Sequence, residues 1–344
     1  MNIAVIGYGG VGKALIRLLD DKKVLLEKEN LIINVKYIIE YYGGIYQKSG
    51  INLKELIEFT NNEKDITKYK NYGNENITID TILENKDIDL AVLMTPTNKE
   101  TGEPGVTIVK KLLNSGINVV ISDKGPAMIA YNELNELAKR NKVQFCIGCT
   151  TGGALPTING GLMDMAGAEI QSIEGVLNGT TNFIIKEMED SQINYEEALK
   201  KAQQLGIAET NPALDVEGWD TAGKLLILTN VHMGLSKTLS DIYVEGITNI
   251  TLKEINQAKL EGKKYKLVGK TIKQSNDYIM TVKLEKLGQE HMLYHVEGKN
   301  KAVRYVSDSL GDLVIIGGAS GVTPAAASIL RDIVNINRGY SFSR

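Results

Sequence analysis

Apolar and polar positions along the chain follow two different rhythms. From the N-terminus, short apolar runs alternate with segments of helical period. Asn2 to Ile6 is a β-branched run, and Val11, Leu15, Leu18 and Leu19 then recur at the spacing of one helix face. A helix and loop over Asp20 to Leu31 lead to a second strand, Asn34 to Ile39, which ends at Glu40. Gly43 to Tyr72 reads as a loop, a polar helix over Leu53 to Phe59 and a surface stretch rich in lysine and asparagine. Nearly continuous apolar strands follow at Ile88 to Met94, Asn118 to Ile121 and Val143 to Ile147, with helices at Val106 to Asn114 and Asn132 to Arg140 between them. Strands apolar on both faces, alternating with helices, predict a parallel sheet covered on both sides.

Beyond Pro156 the rhythm changes. A capping box at Asn194 and Glu197 starts a helix over Glu196 to Leu205, which Gly206 closes. A second helix starts at about Glu217. Its predicted buried face carries Trp219, Ala222, Leu225, Leu226, Thr229 and Met233, and Gly234 is its stop. Strands are predicted at Asp241 to Ile247, Tyr265 to Lys273, Tyr278 to Leu287, Ala302 to Ser307 and Leu313 to Ile316, with a hairpin turn at Ser275-Asn276-Asp277. A glycine-rich turn from Gly317 leads into a last helix ending near Asn337.

The first glycine-rich segment changes the picture. Gly7-Tyr8-Gly9-Gly10-Val11-Gly12 sits between the first strand and the first helix, the context that a G-x-G-x-x-G signature needs. Gly7 permits the tight turn, Gly9 lets the backbone approach a pyrophosphate, and Gly12 lets the helix pack on the strand. The helix N-terminus then favours the anion. The fold class is therefore α/β: an N-terminal Rossmann-type dinucleotide-binding domain over residues 1–150. An α+β domain with an open mixed sheet follows over 151–316, and a C-terminal helix over 317–344. Glu40, at the end of the second strand, can accept from both ribose hydroxyls and would repel a 2′-phosphate, which favours NAD over NADP. Lys48 and Lys54 are the cations that could offset that preference. The loop Thr95-Pro96-Thr97-Asn98 lies beyond a strand's carboxyl end and should approach the nicotinamide half of the cofactor. Lys124, in the loop Ser122 to Pro126, is a cation at the same rim.

Charge and composition exclude several classes. Among 344 residues, 39 Lys and Arg against 42 Asp and Glu leave no basic footprint for nucleic acid. No run approaches the ~20 apolar residues of a membrane-spanning helix. The start MNIAVIGYGG has no basic leader, so a signal peptide is not expected. Two cysteines, Cys146 and Cys149, suit a reducing cytoplasm. Without a second pair or a nearby histidine they are read as small residues at a strand end rather than zinc ligands.

Chemistry concentrates between Leu205 and Met233. Glu209, Asp215, Glu217, Asp220 and Lys224 fall inside this otherwise apolar stretch. Asp220 and Lys224 are four apart and so lie one turn above each other. Pro212 pushes Asn211 into an extended conformation, so Glu209 and Asp215 lie on a loop facing the helix start. Such a group could hold an ammonium-bearing substrate and lend it a proton.

Taken together, the N-terminal glycine signature, the Thr97-Asn98 to Pro104 loop, Lys124-Gly125-Pro126, Gly152 to Pro156, Glu174 to Phe183, Ala202 to Glu209 and Asp215 to Leu225 resemble homoserine dehydrogenase over essentially the whole chain. The likeness is to the short form, without an attached kinase or regulatory domain. It implies hydride transfer between the C4 carbon of L-homoserine and NAD or NADP, with L-aspartate 4-semialdehyde on the oxidised side. By the same resemblance Lys224 is the proton donor and acceptor, Asp220 orients it, and Lys124 polarises the carbonyl oxygen or joins the proton path. Glu209 and Asp215 hold the α-ammonium, while Asn178, Gly179 and Thr180 contact the substrate. Gly318 and Gly321 return to the cofactor side, and the sheet of the second domain pairs two subunits into a homodimer.

The sequence departs from the family at two places. Family members carry a glutamate before the Gly152 stretch, which helps main-chain carbonyls hold a monovalent cation. Here that residue is Gly148, so the carbonyls of Thr151, Gly153 and Leu155 lack their anionic partner. The family's asparagine before the loop lysine is Asp123, which adds a negative charge beside Lys124. Two other readings stay open on the residues: a related dehydrogenase of a different 2-amino hydroxy or oxo acid, and a non-catalytic NAD-binding protein. An assay with aspartate semialdehyde against a panel of amino aldehydes and ketones separates them.

Overall fold

A computed structural model describes residues 1–275 and 277–342, so Asn276 of the expected hairpin turn lies outside the described residues. The chain divides into two compact units, Met1–Ala154 completed by the chain from Gly321 on, and Leu155–Ser320.

In the first unit β1 (Asn2–Ile6) is followed by α1 (Gly10–Asp21), α2 (Lys23–Lys28) and β2 (Asn34–Glu40). Where a loop was expected, Gly43–Tyr46 forms β3, antiparallel to β2. Glycines there hid the strand, yet they are what the pairing needs, since a Cβ on Gly44 would lie 2.6 Å from the Ile38 carbonyl oxygen. Next come α3 (Leu53–Asn62), β4 (Gly73–Asn74), α4 (Ile79–Asn85), β5 (Leu90–Leu93), α5 (Gly105–Asn114) and β6 (Asn118–Ile121). The unit continues with α6 (Lys124–Ile129), α7 (Tyr131–Asn141), β7 (Phe145–Cys146) and the single turn α8 (Cys149–Gly152). Strand order is β4-β3-β2-β1-β5-β6-β7, with β2, β1, β5, β6 and β7 parallel. The connections diverge on either side of β1, so the carboxyl ends of β1 and β5 flank the switch point where such sheets bind ligands. Ile3, Ala4, Val5 and Leu90 to Leu93 are fully buried, as strands covered on both faces require.

The second unit opens with α9 (Thr157–Asn159) and β8 (Ile170–Val176), then α10 (Gly179–Ser191), α11 (Tyr195–Gln204), α12 (Ala213–Val216) and α13 (Trp219–Met233). It continues through β9 (Ile242–Val244), α14 (Leu252–Leu260), β10 (Lys264–Gln274), β11 (Asp277–Leu287), β12 (Lys301–Ser307) and β13 (Asp312–Gly317). These strands form one mixed sheet in the order β13-β12-β8-β10-β11-β9, in which only the β9–β11 pair is parallel. The capping box of Asn194 and Glu197 is formed, and α11 starts one residue earlier than expected.

Helix α13 packs on β8 and β10. Its buried side chains run from Leu225 to His232 on all sides, so it is a central helix rather than an amphipathic one. Each buried Leu or Ile there contributes about 2 kcal/mol. Trp219, expected on its buried face, is instead 40% exposed, although Thr221 and Ala222 of the same turn are fully buried. The last helix, α15 (Val322–Asn337), belongs to the first unit and packs along α1.

Candidate active site

On the first unit the glycine loop contains two close backbone approaches and one open position. Gly7 has φ +90, and a Cβ there would meet the Met94 carbonyl oxygen at 2.7 Å, so β1 and β5 come together only over glycine. A Cβ on Gly12 would lie 2.4 Å from the Gly7 carbonyl oxygen, whereas one on Gly9 meets nothing within 4 Å. The space above Gly9 is thus open, at the N-terminus of a 12-residue helix that has no side-chain cap. That is where a pyrophosphate fits. Gly10 lies against Val322, where a Cβ would come within 3.0 Å of Val322 Cγ1, so the start of α15 that follows Gly321 backs the glycine loop. Val11 is half-buried in the first turn of α1.

Beside the loop is a cavity of about 720 Å³ lined by Gly7, Glu40, Tyr41, Thr95, Pro96 and Glu103, among others. The Tyr8 N–H donates to Glu40 Oε1 at 2.5 Å, which fixes the carboxylate at the cavity wall. Among the described residues that line it, two are carboxylates and none is lysine or arginine; Lys48 and Lys54 are not part of it.

Lys124 is half-buried and opens α6 rather than sitting in a loop, with its N–H donating to Thr97 Oγ1 at 3.2 Å. The preceding Asp123 lies inside the fold. It is buried, caps α6 by accepting from the Gly125 N–H at 2.9 Å, and accepts from Thr95 Oγ1 at 3.0 Å. Burial raises its pKa, against the lowering by Gly125, Thr95, Thr97 and Lys124. The folded chain therefore holds this proton more tightly than the unfolded chain. Ionising it costs nothing below the unfolded pKa of ~4 and destabilises the fold fully only above the raised folded value. Asp123→Asn, which can still cap, should raise Tm at pH 7.5, and the gain should shrink as the pH falls towards 4. Equal gains at both pH values would refute this.

On the second unit four side chains form a continuous network. Lys224 Nζ lies 2.6 Å from Asp220 Oδ2 and donates to the Leu177 carbonyl oxygen at 2.8 Å. The Asn178 amide donates both hydrogens, to Asp220 Oδ2 at 2.9 Å and to Asp215 Oδ1 at 2.6 Å. Its oxygen accepts from the Thr181 N–H at 2.9 Å as the N-cap of α10. The network thus brings two acids and one lysine together. Of the three N–H bonds on Lys224, two are engaged and the third is left for a ligand oxygen.

Local sequence explains the convergence. Gly218, at φ +91, turns the chain between α12 and α13 so that Asp215 and Asp220 face Asn178 together. Thr180 Oγ1 donates to the Ile207 carbonyl oxygen at 3.1 Å, which ties α10 to the loop after α11. A Cβ on Gly179 would sit 2.9 Å from the Lys299 carbonyl oxygen, so this position also has a packing requirement. Glu209 is exposed, and the network does not include its carboxylate. Gly318, at φ +78, packs on Leu155 within the second unit. The Leu177 carbonyl is a participant that sequence reading missed, since a main-chain oxygen carries no residue signature.

The Gly148 loop lacks the acid that the family resemblance places at a cation site. Gly148 has no side chain to offer, the Leu155 carbonyl already accepts from the Thr157 N–H at 2.8 Å, and among the described residues no cluster of His, Cys, Asp or Glu could hold a metal. No helix among the described residues is long and apolar enough to cross a membrane.

A parallel sheet with an anion-binding glycine turn, together with a mixed-sheet unit carrying a lysine–carboxylate cluster, defines a two-domain NAD(P)-dependent dehydrogenase. Residues 156–334 match the family model described as Homoserine dehydrogenase. A homoserine dehydrogenase of Methanocaldococcus jannaschii is 37% identical over 336 residues, covering 98% of both chains. An NAD(+)-dependent homoserine dehydrogenase of Pseudomonas canavaninivorans is 28% identical and covers 98% of this chain and 96% of its own. A hyperthermophilic archaeal homoserine dehydrogenase mutant solved in complex with NADPH superposes with a TM-score of 0.84 at 25% identity, covering 100% of this chain and 99% of that one. The chain belongs to the homoserine dehydrogenase family, and is an NAD(P)-dependent oxidoreductase acting on a CH–OH group.

Proposed function

We propose that the chain interconverts L-homoserine and L-aspartate 4-semialdehyde, with Lys224 giving and taking the proton at the C4 oxygen. The observation that carries this reading is the Asp215–Asn178–Asp220–Lys224 network. A bound nicotinamide supplies or accepts the hydride. In the oxidation direction the lone pair of the Lys224 amine takes the hydroxyl proton as the hydride leaves C4, and in the reverse direction the N–H so formed returns the proton to the oxygen. Asp220 and the Leu177 carbonyl hold the lysine in one orientation. Asp215 holds the α-ammonium, with Glu209 as an outer acid and Thr180 and Gly179 at the rim. Lys124 polarises the carbonyl oxygen from the dinucleotide side, and Gly7 to Gly12, Thr95, Pro96, Gly318 and Gly321 hold the cofactor. Residues 1–150, 151–316 and 317–344 serve as dinucleotide-binding domain, substrate and dimerisation domain, and returning helix.

Steady-state assays with homoserine and each cofactor, and with aspartate semialdehyde against other amino aldehydes and ketones, test the assignment. Turnover of a different amino aldehyde with none of aspartate semialdehyde would overturn it. NAD is the preferred cofactor, because a 2′-phosphate would face Glu40 and Glu103. Like charges brought together cost several kcal/mol, so kcat/KM with NAD should exceed that with NADP by ~10-fold or more. Glu40→Ser should narrow the ratio. The enzyme works as a homodimer in the cytoplasm, in keeping with two buried thiols; light scattering should give twice the 37.7 kDa chain mass.

A further inference from the structure

The loop from Gly148 to Ala154 is held by a charge that the chain itself supplies. Helix α15 presents Arg331 and Asp332 to it. Arg331 Nη1 donates to the Ala154 carbonyl oxygen at 3.1 Å, and Nη2 reaches the Gly148 carbonyl oxygen at 3.5 Å and Ser328 Oγ at 2.6 Å. Asp332, fully buried, accepts from the Gly148 N–H at 3.0 Å. Gly148 is thus gripped through both its N–H and its carbonyl, and Ala154 at the other end through its carbonyl. The Cys149 thiol donates to the Ala325 carbonyl oxygen at 3.5 Å, so α15 also touches the middle of the loop.

Main-chain carbonyls gathered at a loop call for a cation, and a guanidinium answers that call with a permanent charge and a fixed fork of donors. A metal ion at these carbonyls would lie beside that guanidinium. The acid that would offset the repulsion is missing at Gly148, and Asp332 is already engaged by the Gly148 N–H. We propose that Arg331 is the tethered cation of the 148–154 loop, holding the Gly148 and Ala154 carbonyls, which lie in the same stretch of chain as those that the family resemblance assigns to a monovalent metal ion. Because this cation belongs to the chain, its occupancy does not depend on any concentration in solution, and the protein should show no specific response to sodium or potassium.

The test is thermal unfolding of the full-length protein in NaCl, KCl or tetramethylammonium chloride at one ionic strength. This readout needs no turnover, so it stands apart from the homoserine assay. The wild-type Tm should be the same in all three salts. Arg331→Met should lower Tm equally in each, and Arg331→Lys, which keeps the charge but loses the fork, should recover part of the loss. A saturable rise of the wild-type Tm with sodium or potassium would overturn the proposal, as would an Arg331→Met variant that melts with the wild type. Should Arg331→Met fail to fold, the wild-type salt comparison still decides.

Discussion

Lys224→Ala lowers kcat for homoserine oxidation by ~100-fold or more, the usual scale for loss of a positioned acid–base group, while NAD binds as before. The lysine is the member of the network whose remaining N–H can meet a substrate oxygen. Removing it also takes away the cation that faces Asp220. Breaking a buried pair costs up to 3–5 kcal/mol, although these side chains are 14% and 12% exposed and solvent will moderate that figure. A melting curve must therefore accompany the kinetics. Lys224→Arg separates charge from proton transfer: the guanidinium keeps the positive charge but does not deprotonate, so turnover should stay low. If Arg restores near-normal kcat, Lys224 serves only as a charge, and if Ala retains near-normal turnover the assignment of the proton is wrong.

Asn178→Ser should leave the fold standing and disable the site. Asn178 does two jobs with one side chain. Its oxygen caps α10, and its amide keeps Asp215 and Asp220 apart by donating to each. Serine caps a helix about as well as asparagine, so the cap is kept and any fall in Tm reports the two amide bonds alone. The two bonds to charged oxygens, worth about 1.5–3 kcal/mol each, are lost. Lys224 then loses the fixed orientation of its aspartate, and kcat/KM for homoserine should fall by ~10- to 100-fold on that scale. Asn178→Ala removes both functions and should lower Tm as well. A serine variant as active as the wild type would mean that the amide bridge has no part in catalysis. An alanine variant as stable as the wild type would mean that the cap contributes little.

Much of this was readable from local pattern, because it rests on interactions between residues close in sequence. The strand–glycine–helix start, the Asn194–Glu197 capping box and the one-turn spacing of Asp220 and Lys224 all follow from backbone period and from glycine's access to φ values that other residues avoid. The family motifs located Asn178 and Asp215 but not the hydrogen bonds that join them. What escaped was decided over long separations. Gly43–Tyr46 is a strand because β2 is there to pair with it, and Asp123 turns inward to cap a helix and meet Thr95. Arg331 reaches Gly148 across 183 positions of sequence. The residues alone determined which chemistry this chain carries, since side-chain type and helical spacing are local properties. Which acid meets which donor, and which cation holds which loop, was decided only by the fold, because those hydrogen bonds join groups that no sequence interval relates.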